Sequence, residues 1–260
     1  MRADLYLSTF GYVQSRQRAK QLIAEGGILI DGRLIKKASE EIEEGFSHDV
    51  TVNDMQKYVG RGGLKLEGAI AAFGLDVLGK RALDIGASTG GFTDCLLQHG
   101  AGQVVAVDAG IGQLAKKLCD DARVISKEHC NARDLAPADI GGVVDVIVMD
   151  VSFISATYII PRFSDLLGEQ GEAVCLIKPQ FEVGKTMLGK GGIVKDPAAH
   201  RFAIDRVLAS GREHGLCPAG LISSPIKGGD GNREFLVHFK KGDGVRDSVD
   251  LAYIRRIVGG

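Results

Sequence analysis

Two lysines and two carboxylates in this sequence stand at the ends of apolar runs. Val146-Ile147-Val148-Met149 ends in Asp150, and Val174-Cys175-Leu176-Ile177 ends in Lys178. Both runs read as buried strands of a parallel sheet, and open α/β sheets bind ligands outside the carboxyl ends of their strands. Glu234 opens the last apolar run, after the turn Gly228-Gly229-Asp230-Gly231-Asn232. If that run is antiparallel, it starts at the same edge. Lys65, in Arg61-Gly62-Gly63-Leu64-Lys65-Leu66, lies on a helix start ahead of the first strand. Singly, Asp150 reads equally as a helix cap, and Lys178 or Glu234 as a solvated strand end. Together they bring two ammonium groups and two carboxylates to one mouth, the residue types of proton transfer.

A second constellation follows the first strand, in Asp84-Ile85-Gly86-Ala87-Ser88-Thr89-Gly90-Gly91-Phe92-Thr93-Asp94. A glycine turn between strand and helix lets a ligand approach the backbone closely. The spacing is G-x-x-x-G-G, so the dinucleotide fingerprint G-x-G-x-x-G fails. Asp108 ends the next strand, 22 residues after Gly86, where an acid holds ribose hydroxyls. S-adenosylmethionine, which has a ribose and no pyrophosphate, needs the turn and the acid without the phosphate fingerprint. The bland alternative is a tight turn and nothing more. Gly184-Lys185-Thr186 is not a Walker A motif, because Pro179 occupies the position of its first glycine. The six histidines have no metal-ligand spacing, and no metal is expected.

The elements that must carry these residues fall into two regions, 1–57 and 58–260. In the second, strands are expected at 81–86, 103–108, 123–126, 143–150, 172–178 and 234–240. The spacing of the first five allows helical crossovers, which predicts an α/β fold with a mainly parallel, doubly wound sheet. The turn at 228–232 predicts a late hairpin and an antiparallel last strand. The first region reads as a short helix over Arg2–Phe10 and a helix capped by Ser15 and running to Glu25. Ala19, Leu22 and Ile23 form the buried stripe of that second helix. A hairpin follows, Ile28–Ile30 and Arg33–Ile35, turning at Asp31-Gly32. Residues 1–39 hold seven Lys/Arg against three Asp/Glu, and Glu40, Glu41, Glu43 and Glu44 then reverse the sign.

Composition excludes several classes. The 260 residues carry 32 Lys+Arg against 33 Asp+Glu, a net charge of −1, so any basic surface is local. No apolar run approaches the roughly 18 residues of a membrane span, and the amino terminus has no hydrophobic signal region. Five dispersed cysteines without a CxxC point to a reducing cytoplasm rather than a disulfide scaffold.

Arg2-x-Asp4, Leu7, Gly11, Ser15-Arg16, Ala19, Leu22-Ile23 and Ile28-x-Ile30-Asp31-Gly32 resemble the S4 fold, a small α+β RNA-binding module. Lys65, Asp150, Lys178 and Glu234 resemble the Lys-Asp-Lys-Glu tetrad of the FtsJ-like RNA ribose 2′-O-methyltransferases. The combination is similar to the TlyA (hemolysin A) family, with further matches in Asp150–Ser155, Lys178–Lys185, Gly191–Val194 with Asp196-Pro197, and Gly231-Asn-x-Glu234. Val59 departs from the serine common in the family before Arg-Gly-Gly. The resemblance implies methyl transfer from S-adenosyl-L-methionine to a ribose 2′-hydroxyl, in cytidine of ribosomal RNA. Lys178 would be the base, with Lys65 disfavouring its charged form and Asp150 and Glu234 orienting both ammonium groups. A free lysine, with a pKa of about 10.4, is protonated and cannot serve as base. A like charge and burial both disfavour its charged form.

The resemblance also implies that Asp84, Gly86, Ala87, Ser88, Gly90, Gly91 and Phe92 lie along the methionine side of the cofactor. Asp108 would take its ribose, Asn131 its adenine, and Asp150 would border it. The local alternative for Asn131 is a loop cap. RNA would meet Arg2, Arg16, Arg18, Lys20, Arg33 and Lys36 of the S4-like module, and Lys185 and Lys190 of the glycine-rich loop 182–194. The expected partner is ribosomal RNA or a ribosomal subunit, with no membrane partner, and the chain is expected to act as a monomer. The short amino-terminal lead suggests a large-subunit target. Competing readings are a non-enzymatic assembly factor, a membrane-lytic protein and an oxidoreductase. The intact tetrad disfavours the first, the lack of a span or basic amphipathic helix the second, and the failed dinucleotide fingerprint the third.

Overall fold

Residues 1–24, 26–45, 47–52, 57–242 and 244–259 are described by the structure, a computed structural model. The chain divides into two compact units, Met1–Gln56 and Lys57–Gly260.

In the smaller unit, helices α1 (Ala3–Thr9) and α2 (Arg16–Ala24) precede strands β1 (Ile28–Ile30), β2 (Arg33–Leu34) and β3 (Val50–Val52). Ser15 Oγ accepts from the Arg18 N–H at 3.1 Å and caps α2 as its sequence predicts. Glu25, the expected last residue of that helix, lies outside the described residues. Asp31 and Gly32 both take positive φ, +52° and +72°, the paired left-handed conformation of a type I′ hairpin turn. β3 pairs with the other side of β1. It is only three residues long and follows the acidic run, so neither alternation nor length marks it in the sequence. Leu7, Ala19, Leu22, Ile23, Ile28, Ile30 and Ile35 form the core.

Within this core Asp4 is 0% exposed and collects three cations. Arg2 Nε donates to Oδ1 at 3.0 Å, Arg16 Nε donates to Oδ2 at 2.8 Å, and Lys20 Nζ lies 3.8 Å from Oδ2. The Arg2 hydrogen bonds, followed by those of Arg16, hold the Asp4 carboxyl at about 2. A carboxyl more acidic folded than unfolded contributes stability in full above about pH 4, and that stability is lost as the pH falls towards 2. Asp4→Asn is expected to cost this unit about 1–2 kcal/mol at neutral pH, since the cations are half-exposed and screened. It should also flatten the acid limb between pH 4 and 2. Urea melts of the full chain across that range would show both effects, and an unchanged acid limb would assign the limb to other groups.

The larger unit carries β4 (Arg81–Ile85), β5 (Gln103–Val107), β6 (Val124–Lys127), β7 (Val144–Met149), β8 (Leu167–Ile177), β9 (Leu216–Ser223) and β10 (Phe235–Lys241). They form one sheet in the order β6-β5-β4-β7-β8-β10-β9. β10 alone runs against the rest, antiparallel to both β8 and β9. Helices α3 (Gly62–Phe73), α4 (Gly91–Gln98), α5 (Lys116–Cys119), α6 (Pro137–Ile140), α7 (Phe163–Leu166), α8 (Pro179–Glu182), α9 (Pro197–Glu213) and α10 (Leu251–Gly259) complete the unit. Strand alternation sorts the core. Ala82, Val104, Val146, Val148 and Leu236 pack with α3 and α4, whereas Leu83, Val105, Ile147 and Val237 pack with α9 and α10. Burial on both faces is why these strands read as nearly continuous apolar runs.

The expected late hairpin is β9–β10. β9, absent from the strands expected in the sequence, contains Pro218 and Gly220. A proline is tolerated there because β9 is an edge strand. β8 starts five residues earlier than expected, since Leu167–Gly171 joins the strand despite its glycines and charges.

Candidate active site

Sheet register decides what meets at the carboxyl edge. Ile85 pairs with both Val107 and Met149, Met149 with Cys175, and Ile177 with Phe235. The next residues out, Gly86, Asp108 and Asp150, are therefore level on three adjacent strands, and Lys178 emerges at the same edge two residues further along β8. Glu234 joins them because β10 begins where β8 ends. Lys65 arrives on the first turn of α3, which crosses close to the start of α4. A Cβ on Gly91 would stand 3.0 Å from Gly63 N and 3.1 Å from Gly60 O, a tight approach that glycine eases.

The four groups form an alternating chain. Lys65 Nζ lies 2.7 Å from Glu234 Oε2 and 4.0 Å from Asp150 Oδ2, and Lys178 Nζ lies 2.6 Å from Asp150 Oδ1. Lys178 Nζ also donates to Ser152 Oγ at 2.7 Å. The side chains are between 2 and 18% exposed. Burial pushes the Glu234 carboxyl above the usual range, against the pull of Lys65. In this setting each charge depends on its neighbours for compensation.

Beside the chain runs a cleft in two joined parts. One, of about 370 Å³, has Ile85, Val107, Val151, Ile154 and Ile159 as apolar wall and Asp108 and Asn131 as polar groups. The other, of about 210 Å³, is walled by Gly60, Gly62, Ala87, Gly91, Phe92 and Lys178. Gly86, Ser88, Asp150 and Ser152 border both. Gly86 sits at φ +82°, and a Cβ there would stand 2.6 Å from the Asp150 carbonyl oxygen, so this backbone stays bare. Asp108 accepts from the Ser88 and Gly110 amides, each at 2.7 Å, and each carboxylate oxygen retains a second lone pair for a hydroxyl. An apolar slot with an acid at its rim, continuous with a bare glycine turn, fits the adenosine and methionine halves of S-adenosylmethionine.

Not every expected cofactor residue reaches the cleft. Asp84 is fully buried beneath the turn, where Thr93 Oγ1 donates to its Oδ2 at 2.6 Å, so it braces β4 against α4. Gly90 faces away, with Leu114 and Leu118 where a side chain would go. Asn131 borders the cleft, but its amide is committed to its own turn. Oδ1 accepts from Arg133 N at 3.2 Å and Nδ2 donates to Asp134 at 2.8 Å, which is the local cap. Of the expected RNA contacts, Arg2, Arg16 and Lys20 gather around Asp4, while Arg33 pairs with Glu40. Arg18 is half-buried on α2, and Lys36, Lys185 and Lys190 are exposed.

Burial raises the Asp84 carboxyl to about 7. Between about pH 4 and 7 the unfolded chain gives up this proton while the folded chain keeps it, so stability falls as the pH rises through that window. Asp84→Asn is expected to remove this slope, of order a few kcal/mol, and to match or exceed the parent stability at pH 8. Denaturant midpoints from pH 4 to 8 would show it, and an unaltered slope would point to another group.

Sequence reasoning passed over Ser152, Glu182 and Asn232 as site residues. Asn232 is 0% exposed, and its Oδ1 accepts from Val194 N at 2.8 Å, tying the glycine-rich loop to the turn before Glu234. Among the described residues, no group of His, Cys, Asp and Glu could hold a metal ion. No described helix is long and apolar enough to cross a membrane.

A mainly parallel seven-stranded sheet with one reversed strand, a glycine turn after β4 and an acid after β5 defines a Rossmann-like methyltransferase. The chain belongs to the FtsJ-like methyltransferase family, whose model matches residues 58–241, and within it to the TlyA (hemolysin A) group, with an S4 domain matched over residues 1–45. It is 42% identical over 236 residues to the 16S/23S rRNA (cytidine-2′-O)-methyltransferase TlyA of Mycobacterium tuberculosis, covering 91% of this chain and 88% of that protein. Hemolysin A of Brachyspira hyodysenteriae is 42% identical over 240 residues, 92% of this chain and 99% of that one. A solved structure from Streptococcus thermophilus, provisionally assigned as a hemolysin, is 40% identical with a TM-score of 0.79, covering 100% of this chain and 94% of that chain.

Proposed function

We propose that this chain transfers a methyl group from S-adenosylmethionine to a cytidine ribose 2′-hydroxyl in ribosomal RNA, acting in the cytoplasm. The observation that carries the reading is the Lys178–Asp150 pair at 2.6 Å, on the rim of the glycine cleft and backed by Lys65–Glu234. S-adenosylmethionine supplies an electrophilic methyl carried on a sulfonium. The protein must supply a deprotonated oxygen in line with it. A ribose hydroxyl is almost wholly protonated at neutral pH, so a positioned base takes its proton as the methyl moves. Lys178 Nζ accepts that proton, and the ammonium form is held by Asp150 and Ser152. Lys65, held by Glu234, adds positive charge beside the developing alkoxide.

The S4 unit would supply the hold on RNA. Three cations around one buried carboxylate carry a net charge of +2 and are fixed in place before any phosphate arrives. That fits a protein whose overall charge is close to zero.

Incubation with S-adenosylmethionine carrying a labelled methyl and with undermodified ribosomal subunits, each separately, tests the reading. Label in alkali-resistant dinucleotides is the expected result, and the subunit that carries it is the substrate. Binding of cofactor and subunit without any transfer would overturn it in favour of an assembly factor.

A further inference from the structure

Glu182 is a buried carboxylate that the methyl-transfer scheme leaves unused. Only 1% exposed, it accepts from Ser155 Oγ at 2.5 Å through Oε2 and from the Ala156 N–H at 2.7 Å through Oε1. Those donors end the loop that begins at Asp150 and contains Ser152. Glu182 itself ends α8, the single turn that begins directly after Lys178. Pro179 at the first position of α8, with the bonds Phe181 N to Lys178 O and Val183 N to Pro179 O, makes that turn a rigid spacer. The Glu182 carbonyl accepts from Arg206 Nη1 at 2.7 Å, which anchors the turn to α9.

The loop needs such an anchor. Phe153 sits at φ +65°, a left-handed conformation unfavourable for a phenylalanine, and is 92% exposed. A conformation of that kind persists only where its surroundings impose it. At one end Asp150 N donates to Ile85 O at 3.0 Å. At the other, the two bonds to Glu182 hold Ser155 and Ala156. We infer that Glu182 is the positioning residue that sets the Asp150–Ser152 loop against Lys178, an inference that rests on the methyltransferase reading above. One side chain suffices for this, because the hydroxyl and the amide it holds come from adjacent residues and meet its two oxygens together. Glu182 lines neither part of the cleft. It acts through the distance between Asp150 and Lys178.

The test is steady-state kinetics on the full-length chain, well below its melting temperature, with the labelled-methyl assay. Glu182→Ala should lower kcat by about 10- to 100-fold, the scale of a small misplacement of catalytic groups. The KM for S-adenosylmethionine should change less than about threefold. Glu182→Gln, which keeps an acceptor for the Ala156 amide, should recover most of the rate. Ser155→Ala removes one strut bond with little risk to folding and should lower kcat with the same KM pattern. It carries the test if Glu182→Ala does not fold. A lowered melting temperature with parental kcat in all soluble variants would overturn the inference and leave Glu182 a purely structural residue. Lys178→Ala, assayed alongside, separates the two failures. If the parent chain itself transfers no label, the methyl-transfer reading falls, and if Lys178→Ala retains the parental rate, the base role of Lys178 falls. If Lys178→Ala is inactive while the Glu182 and Ser155 variants are normal, only the positioning role falls.

Discussion

Lys178→Ala is expected to slow methyl transfer by about 10²- to 10⁴-fold, the usual worth of a general base, while cofactor affinity stays within a few-fold of the parent. The split follows from geometry. Lys178 contributes only one of many lining groups to the cleft, and the apolar wall and Asp108 are untouched by its removal. Lys178→Arg sharpens the experiment. Arginine keeps the positive charge and a bond to Asp150 but does not give up its proton near neutral pH. If Lys178 acts as a base, the arginine variant is as slow as the alanine one. If it acts only as a fixed positive charge, arginine restores much of the rate. Single-turnover rates with enzyme in excess separate chemistry from product release. An alanine variant within tenfold of the parent would remove the base from Lys178.

The second large effect concerns RNA affinity. Arg16 and Lys20 both point at Asp4, which is fully buried, so reversing their charges would set like charges around that carboxylate and confound binding with stability. Neutral replacements lessen this, since Arg2 still holds the carboxylate. Arg16→Gln combined with Lys20→Gln is expected to weaken ribosomal RNA binding about 10- to 100-fold at physiological salt. The salt slope should fall by about one to two, because each cation removed leaves one phosphate with its own counterion. Affinity for S-adenosylmethionine should not change. Binding isotherms at several salt concentrations measure both quantities. An unaltered slope would place the phosphate footprint elsewhere, with Lys185 and Lys190 the next residues to replace.

Much of the site was legible because a doubly buried parallel strand has to end in something polar. The apolar runs before Asp150 and Lys178 announce both their burial and their direction. The edge at which they end is then a matter of topology. Glu234 was legible through a longer argument, that a glycine-rich turn reverses the last strand. Long-range pairings were not legible. That Arg2, Arg16 and Lys20 share Asp4, or that Glu182 meets Ser155 and Ala156, depends on how helices and loops fold back, and no local spacing encodes it. Asp84 shows the opposite failure. A motif places it in the cofactor turn, yet the alternation of β4 points it into the interior, where Thr93 is its hydrogen-bond donor. Asn131 was ambiguous for a physical reason, since one amide serves equally well as a cap or as a ligand group, and its hydrogen bonds favour the cap. β3 and β9 escaped because a three-residue strand and an edge strand with proline and glycine carry little periodic signal.

β10 lies between β8 and β9 in the sheet, although it follows both in the chain. A ribosome extrudes Lys65, Asp150 and Lys178 long before Glu234, so on the proposed mechanism the tetrad is complete only when the last strand slots home. A chain terminated before residue 228 would still possess the glycine turn and Asp108. It would also present β8 as a bare apolar edge, the kind of template that recruits other strands, with Lys65 deprived of its nearest carboxylate. Incomplete synthesis should therefore yield an aggregation-prone fragment for proteolysis to clear, and not a partly working enzyme.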